Sequence, residues 1–371
     1  MEKKILVVGA MYSLNFGDGV ICRTVSQIIQ NELQVKPEIC GISGSVAFPQ
    51  KRTAKGQQSV KRLKSAVLEF GVVKHLWLQR HKIRIWHRLD QKALDCTAIV
   101  FAGGQLFMDC FINYISWIVM WAQHHKIPVV FNCCGVGKLS EKNQMILTRA
   151  LSAPCVKDVT VRESPDLFYQ QMPRRIPVEQ IWDPAMEVAK YYRPSGKGCV
   201  KMGIGVIHPV NFRANCVRID TEQYLDILRT MVALCGEHGV NFEFFINGDP
   251  LDAAFCREVA AKLGCQDKVA EFPQTPEQLI ETVTRYEKIF SFRLHSHIIA
   301  TSYGIPTAAF VWDEKVREFM QAIGRKQRCI SLMKMPDREE MEQVFCQLLQ
   351  DVAVRPECGL EFSSQRLKKV L

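Results

Sequence analysis

The 371-residue sequence lacks the short motifs that announce most enzyme classes. There is no G-x-x-x-x-G-K-[ST] loop and no G-x-G-x-x-G after an apolar run, which excludes the common phosphate cradles. The Gly-x-Gly at Gly203 to Gly205 lies inside a strand-like stretch and is a weak signal. A G-x-S-x-G elbow is missing too. Fifteen cysteines are present, yet no pair forms Cys-x-x-Cys; the count is odd and the spacing irregular. A zinc knuckle and a disulfide framework are therefore excluded, and a reducing cytoplasm is expected. No apolar run is long enough to cross a bilayer: the longest, Phe111 to Ala122, falls well short. The first residues, MEKKILVVGA, run directly into a strand and do not read as a signal peptide. Internal repeats and low-complexity tracts are absent. With no metal cluster and no cofactor motif, no cofactor is expected, and any chemistry must rest on Arg, His and Asp.

Charge is what the chain does have. The net charge is +10, and the segment from Lys51 to Arg88 carries eleven Lys or Arg against one acid, Glu69, which equals the whole excess. The remainder is balanced. A nucleic-acid binder would spread basic residues more widely, so nucleic acid is not an expected partner. From Val60 the apolar residues fall at Leu63, Val67, Phe70, Val73 and Trp77, a three- and four-residue spacing that predicts an amphipathic helix.

Short apolar runs alternate with helical patterns. KILVVGA, TAIVFAGG, IPVVFNCCGVG, DVTVRES and IWDPAM read as strands or strand tips, with helices between. The pattern restarts with KMGIGVIHP, NFEFFINGD, KIFSF and PTAAFVW. Helices are expected at 221–239 with Thr221 as N-cap, at 250–264 with Pro in the first turn, and at 275–286. The alternation predicts an α/β protein of two doubly wound Rossmann-like domains facing across a cleft. The boundary is expected near YYRPSGKG, giving domains 1–193 and 199–350, a basic amphipathic insertion at about 51–90, and a tail, 351–371, packing back on the first domain.

In open α/β sheets ligands bind at the carboxyl ends of strands. SFRLHSHIIATSYGIP, Ser291 to Pro306, places Arg293 and His295 at such an end. There a cation and a helix N-terminus together suit an anion; alternatively Arg293 pairs with a structural acid and His295 caps the helix. Arg162 ends DVTVR, and the alternative is a surface ion pair. Asp183 ends QIWD, where it serves the site or an N-cap. Gly103 and Gly104 end IVFAGG, where glycine lets a ligand or another backbone approach. Asn15 and Asp18, in NFGDG, follow the first strand, and Asp18 is equally a helix cap.

The ordered set NFGD, AGGQLF, VRES, WDPA, NGD and SFRLHSHIIATSYGIP resembles the polysaccharide pyruvyl transferase family, over most of the chain from Gly9 to about Phe310. Ala102 stands where the family usually has a third glycine. The resemblance implies a GT-B-like fold with an acceptor-side first domain and a donor-side second domain. It implies phosphoenolpyruvate as donor, a cell-surface or lipid-linked glycan as acceptor, and a pyruvate ketal as product. By similarity Arg162, Arg293, Leu294 and His295 contact phosphoenolpyruvate, with Asn15, Gly103 and Gly104 as further substrate-side positions. Two guanidinium forks suit a carboxylate and a phosphate. His295 is the expected general acid, His297 is expected in the core, and Asp18 and Asp183 are the candidate bases. The basic helix either packs as a lid or attaches the enzyme peripherally to the inner face of the membrane. Competing readings are a nucleotide-sugar glycosyltransferase, for which Asp313 and Glu314 would be a ribose contact or else an N-cap, and a catalytically silent glycan-binding protein.

Overall fold

The computed structural model describes residues 3–45, 47–48, 71–195, 200–215, 217–352 and 359–371. The chain divides into two compact units: residues 1–14, 21–182 and 361–371 form the first, and residues 15–20 and 183–360 the second. Each is an α/β unit on a parallel sheet.

The first sheet contains β1 (Lys4–Gly9), β2 (Lys36–Gly41), β3 (Cys96–Phe101), β4 (Gly104–Phe107), β5 (Val129–Val136), β6 (Val156–Val161) and β7 (Glu179–Gln180). Its order is β2-β1-β3-β5-β6-β7, with β4 also on β5. Strands β1, β3 and β5 are buried along almost their whole length. That is why they read as continuous apolar runs and not as alternating ones. β2, KPEICG, was not foreseen: it lies at the sheet edge, half exposed, and its Pro37 and Glu38 hide the strand pattern. Around this sheet lie α1 (Phe16–Glu32), α2 (Gly71–Lys92), α3 (Ile112–His124), α4 (Glu141–Leu151), α5 (Pro165–Gln170) and the terminal helix α13 (Ser363–Val370). Arg366 of α13 donates to Asp158 in β6, through Nε at 2.8 Å, and Lys368 pairs with Glu32 at 2.6 Å.

The helical stripe expected from Val60 lies mostly outside the described residues; its Val73 and Trp77 belong to α2. α2 packs Ile85 and Leu89 into the core. Its Trp86 indole donates to the Trp117 carbonyl at 3.0 Å. Among the described residues no helix is long and apolar enough to cross a membrane.

The second sheet has the order β12-β11-β10-β8-β9. These strands are β8 (Val200–Gly205), β9 (Phe242–Phe245), β10 (Tyr286–Ser291), β11 (Thr307–Val311) and β12 (Cys329–Ser331). Its helices include α6 (Val188–Tyr191), α7 (Thr221–Glu237), α8 (Pro250–Lys262), α9 (Pro276–Thr284), α10 (Leu294–Ser302), α11 (Glu314–Ala322) and α12 (Arg338–Gln350). The N-cap of α7 is Asp220, not Thr221. Asp220 accepts from the Gln223 N–H at 2.9 Å while Gln223 accepts from the Asp220 N–H at 3.0 Å, a reciprocal box that threonine one position later cannot form. Thr275 caps α9 and Asp249 caps α8. IWDPAM is not a strand: β7 ends at Gln180, and Pro184–Glu187 forms a short 3-10 turn that packs on α10. The residues before YYRPSGKG, from Asp183 on, therefore belong to the second unit.

α10 is buried on every side. Its polar side chains Ser296, His297 and Thr301 are hydrogen-bonded in the interior, so the helix needs no solvent-facing side. Gly304, at φ +73°, ends it. The described cysteines are free thiols and mostly buried. Burial pushes the Cys235 and Cys256 thiols up to about 12.

Candidate active site

In the second unit, parallel strands bring four chain segments to one sheet edge: His208 after β8, Asn247 after β9, Arg293 after β10 and Trp312 after β11. Arg293 is extended at the N-cap of α10, with its N–H donating to Ser291 Oγ at 3.1 Å. Gly205 lies directly under that serine; a Cβ on Gly205 would sit 2.1 Å from Ser291 Oγ. The guanidinium of Arg293 is held by Asp252, in the first turn of α8. Nε donates to Asp252 Oδ2 at 3.0 Å, and Nη2 donates to the same oxygen. Asp252 Oδ1 accepts from the His208 N–H at 2.8 Å, so both carboxylate oxygens are engaged and the group is fully buried. Burial pushes the Asp252 carboxyl above its ordinary range, against the pull of Arg293 and of the His208 N–H. The two expectations for Arg293 are thus not exclusive. It pairs with a structural acid through one edge, and no Nη1 bond to the described residues competes for a ligand.

Leu294 and His295 occupy the first turn of α10 and are buried, His295 at 8% exposure. The His295 ring packs against Gly17, in the first turn of α1. A Cβ on Gly17 would fall 2.2 Å from His295 Nδ1 and 2.3 Å from Cγ. The Asp18 N–H closes a turn on the Asn15 carbonyl at 3.3 Å, and the Phe16 N–H donates to the Asn247 carbonyl at 3.0 Å. NFGD, NGD and SFRLHSH therefore meet in one place within this unit. Asp183 is buried and caps the 3-10 turn, accepting from the Ala185 N–H at 2.9 Å. His297 is wholly in the core, with Nδ1 2.5 Å from Thr307 Oγ1 and Nε2 3.1 Å from the Ser291 carbonyl. Burial holds its pKa down, at about 4, so its imidazole is neutral. Asp313 is an N-cap, accepting from the Lys315 N–H at 3.2 Å.

Arg162 lies in the first unit, after β6. Its Nε and Nη2 donate to Glu163 Oε1 at 2.9 and 2.8 Å, and Glu163 Oε2 accepts from the Val136 N–H at 2.9 Å. Gly103 and Gly104 have φ of +107° and +78°. A Cβ on Gly103 would sit 2.8 Å from the Asn132 carbonyl, so the turn admits only glycine there. Ala102 is buried in the strand direction, its N–H bonded to the Val8 carbonyl at 2.8 Å, and a methyl is accommodated. Arg162 lies beside this turn: a Cβ on Gly135 would be 2.8 Å from Arg162 Nη2 and 3.2 Å from the Gly104 carbonyl.

Each arginine is thus oriented by a buried carboxylate. Reading the sequence missed both. Glu163 adjoins Arg162 and was legible in VRES; Asp252 stands 41 residues from Arg293, on another helix, and no local signal marks it. Gly17 and Asn247 were quoted within motifs without a role. Among the described residues no group of His, Cys, Asp and Glu is arranged to hold a metal ion.

Residues 15–314 match the profile of the polysaccharide pyruvyl transferase family. The chain belongs to that family. It is accordingly a transferase of polysaccharide biosynthesis. A search of curated proteins by sequence finds no match. Among solved structures, the chain resembles UDP-GlcNAc 2-epimerase from Methanocaldococcus jannaschii in complex with UDP-GlcNAc and UDP, at TM-score 0.54 and 11% identity over 100% of this chain and 99% of the other. It also resembles the UDP-GlcNAc 2-epimerase of Neisseria meningitidis bound to UDP-GlcNAc, at TM-score 0.53 and 12% identity, covering 100% of this chain and 99% of that one. The S. aureus MnaA–UDP structure aligns at TM-score 0.57 and 11% identity, over 99% and 95%. These likenesses identify the GT-B-like fold of this pyruvyl transferase family member.

Proposed function

We propose that this protein transfers the pyruvyl group of phosphoenolpyruvate to two hydroxyls of one sugar in a glycan, forming a ketal and releasing inorganic phosphate. The observation that carries the reading is the junction of Arg293, Leu294 and His295 at the N-terminus of α10, with the arginine fixed by Asp252 and the imidazole fixed by Gly17. His295 delivers a proton to the methylene carbon of the donor. The adjacent carbon becomes electrophilic and bonds to the first sugar oxygen, whose proton passes to a base. Phosphate then leaves with its bonding pair, and the second hydroxyl adds at the same carbon and gives up its proton. Asp18, partly exposed in the same turn as Gly17, serves better as base than Asp183, which is buried and occupied as a cap. Arg293 takes an anionic group of the donor, and Arg162, Asn15, Gly103 and Gly104 keep the substrate-binding roles that the family resemblance implies.

The reading is tested by following phosphate release and thermal stabilisation with phosphoenolpyruvate, run beside UDP- and GDP-sugars. Phosphoenolpyruvate alone is expected to stabilise the protein. Stabilisation by a nucleotide sugar in its place would move the protein to the glycosyltransferases.

The acceptor in this reading is lipid-linked and reached at an anionic membrane surface. The outward face of α2 exposes Leu76 and Ile83, at 64% and 66%, among Arg80 and Arg84. A groove of about 620 Å³ beside it is lined by Leu78, Trp117 and Met120 together with Lys82 and Arg149, and among the described residues no carboxylate lines it. Apolar side chains ringed by cations suit an anionic leaflet. The protein is expected to sediment with phosphatidylglycerol vesicles and not with phosphatidylcholine ones, and Leu76→Asp with Ile83→Asp is expected to abolish it. Equal sedimentation of the double variant would remove this face from the account.

A further inference from the structure

Asn247 follows β9 and is 1% exposed. Both of its oxygens accept hydrogen bonds, and its side-chain nitrogen makes none to the described residues. Its carbonyl accepts from the Phe16 N–H, in the first turn of α1, at 3.0 Å. Its side-chain Oδ1 accepts from the Ser296 hydroxyl, in the first turn of α10, at 2.8 Å. Its Nδ2 has no hydrogen-bond partner among the described residues. The side chain is therefore pinned between two helix N-termini, with its oxygen spoken for and its donor end unsatisfied.

A buried donor without an acceptor costs free energy, and folded proteins seldom leave one unless something else fills it. The ends of α1 and α10 both present the positive end of a helix dipole here. A neutral amide N–H between two such ends favours an anionic oxygen over a neutral one. With Oδ1 accepting from the Ser296 hydroxyl, the free end of the amide is its donor nitrogen. We propose that Asn247 is a substrate-binding residue, its side-chain amide donating to an anionic oxygen of the donor substrate at the N-terminus of α10. This rests on the phosphoenolpyruvate reading above, which supplies a molecule with both a carboxylate and a phosphate. It gives the NGD motif a direct role and adds a neutral, directional donor to Arg293, which brings charge.

The deciding variant is Asn247→Asp. It keeps the shape and the acceptor for Ser296 but replaces the free donor by a carboxylate oxygen. KM for phosphoenolpyruvate is expected to rise about 10- to 150-fold, the range for losing a hydrogen bond to a charged group, and the melting temperature to fall, because the new carboxylate is buried. Asn247→Ala, which removes the donor without adding charge, is expected to raise KM by a smaller factor and serves if the first variant does not fold. A KM unchanged in both, whatever the melting temperature, overturns the proposal, because a purely structural amide moves stability and not KM. Thermal shifts with orthophosphate and with pyruvate identify the group: stabilisation lost only for phosphate, or only for pyruvate, names the oxygen that Asn247 holds. If wild-type protein ignores phosphoenolpyruvate, the donor reading falls. Orthophosphate then decides the site alone: stabilisation lost in Asn247→Asp upholds it, and no stabilisation of wild type overturns it.

Discussion

Arg293→Met is expected to abolish phosphate release from phosphoenolpyruvate and, at the same time, to destabilise the protein by about 3 to 5 kcal/mol. The second effect follows from Asp252. Its carboxylate is fully buried, and Arg293 is its counter-charge. Removing the arginine strands a charge in the interior, so lost activity in this variant alone would not separate binding from folding. The double variant Arg293→Met with Asp252→Asn removes both charges and still offers an oxygen to the His208 N–H. It is expected to recover most of the stability and none of the phosphoenolpyruvate response. Recovery of both would mean that Arg293 does not touch the donor.

The single variant also carries a pH signature. Burial already pushes the Asp252 carboxyl up, and Arg293 is the largest influence pulling it down. Without Arg293 the folded-state pKa rises further above the unfolded value, roughly 3.9. The folded state then binds the proton more tightly. Stability is fully present below the unfolded pKa and is lost as pH rises through the folded one. Melting temperatures of Arg293→Met should therefore approach wild type in acid and diverge toward neutral pH. A deficit that does not change with pH would mean the stranded carboxylate is not the cause.

Gly17→Ala is expected to cost about 100-fold in turnover, the scale on which misplacing a reacting group by an ångström acts. In an exposed helix this change would stabilise by up to about 1 kcal/mol. Here the new Cβ would fall 2.2 Å from His295 Nδ1, inside any tolerable contact. The imidazole must move, and overpacking of this kind costs about 1 to 3 kcal/mol. The clash outweighs the propensity gain. Single-turnover phosphate release and melting temperature together read the outcome. Undiminished turnover would mean that the position of the His295 ring is immaterial, and the proton would have to come from another group.

Both arguments begin from contacts that the sequence does not announce. Fold class was legible because its causes are local: continuous apolar runs come from strands covered on both faces, as in β1, β3 and β5, and the proline in the first turn of α8 marks that helix start directly. Where the cause was not local, reading failed. β2 was hidden because an edge strand needs no apolar alternation. Thr221 was chosen over Asp220 because both residues can cap, and only backbone geometry selects between them. IWDPAM looked like a strand because Ile181 and Trp182 are buried, though past the β6–β7 ladder Ile181 makes only an isolated parallel bridge to Glu361.

By itself the sequence determined the two α/β sheets, the family, and which arginines and histidines stand at strand ends, since strand periodicity and motif order are one-dimensional properties. Only the tertiary structure decided what holds those side chains. Asp252 reaches Arg293 from another helix, Gly17 seats His295 from nearly 280 residues away in the chain, and Asn247 keeps an unsatisfied donor between two helix ends. Parallel strands bring distant segments to one sheet edge, and contacts made there leave no trace in sequence spacing.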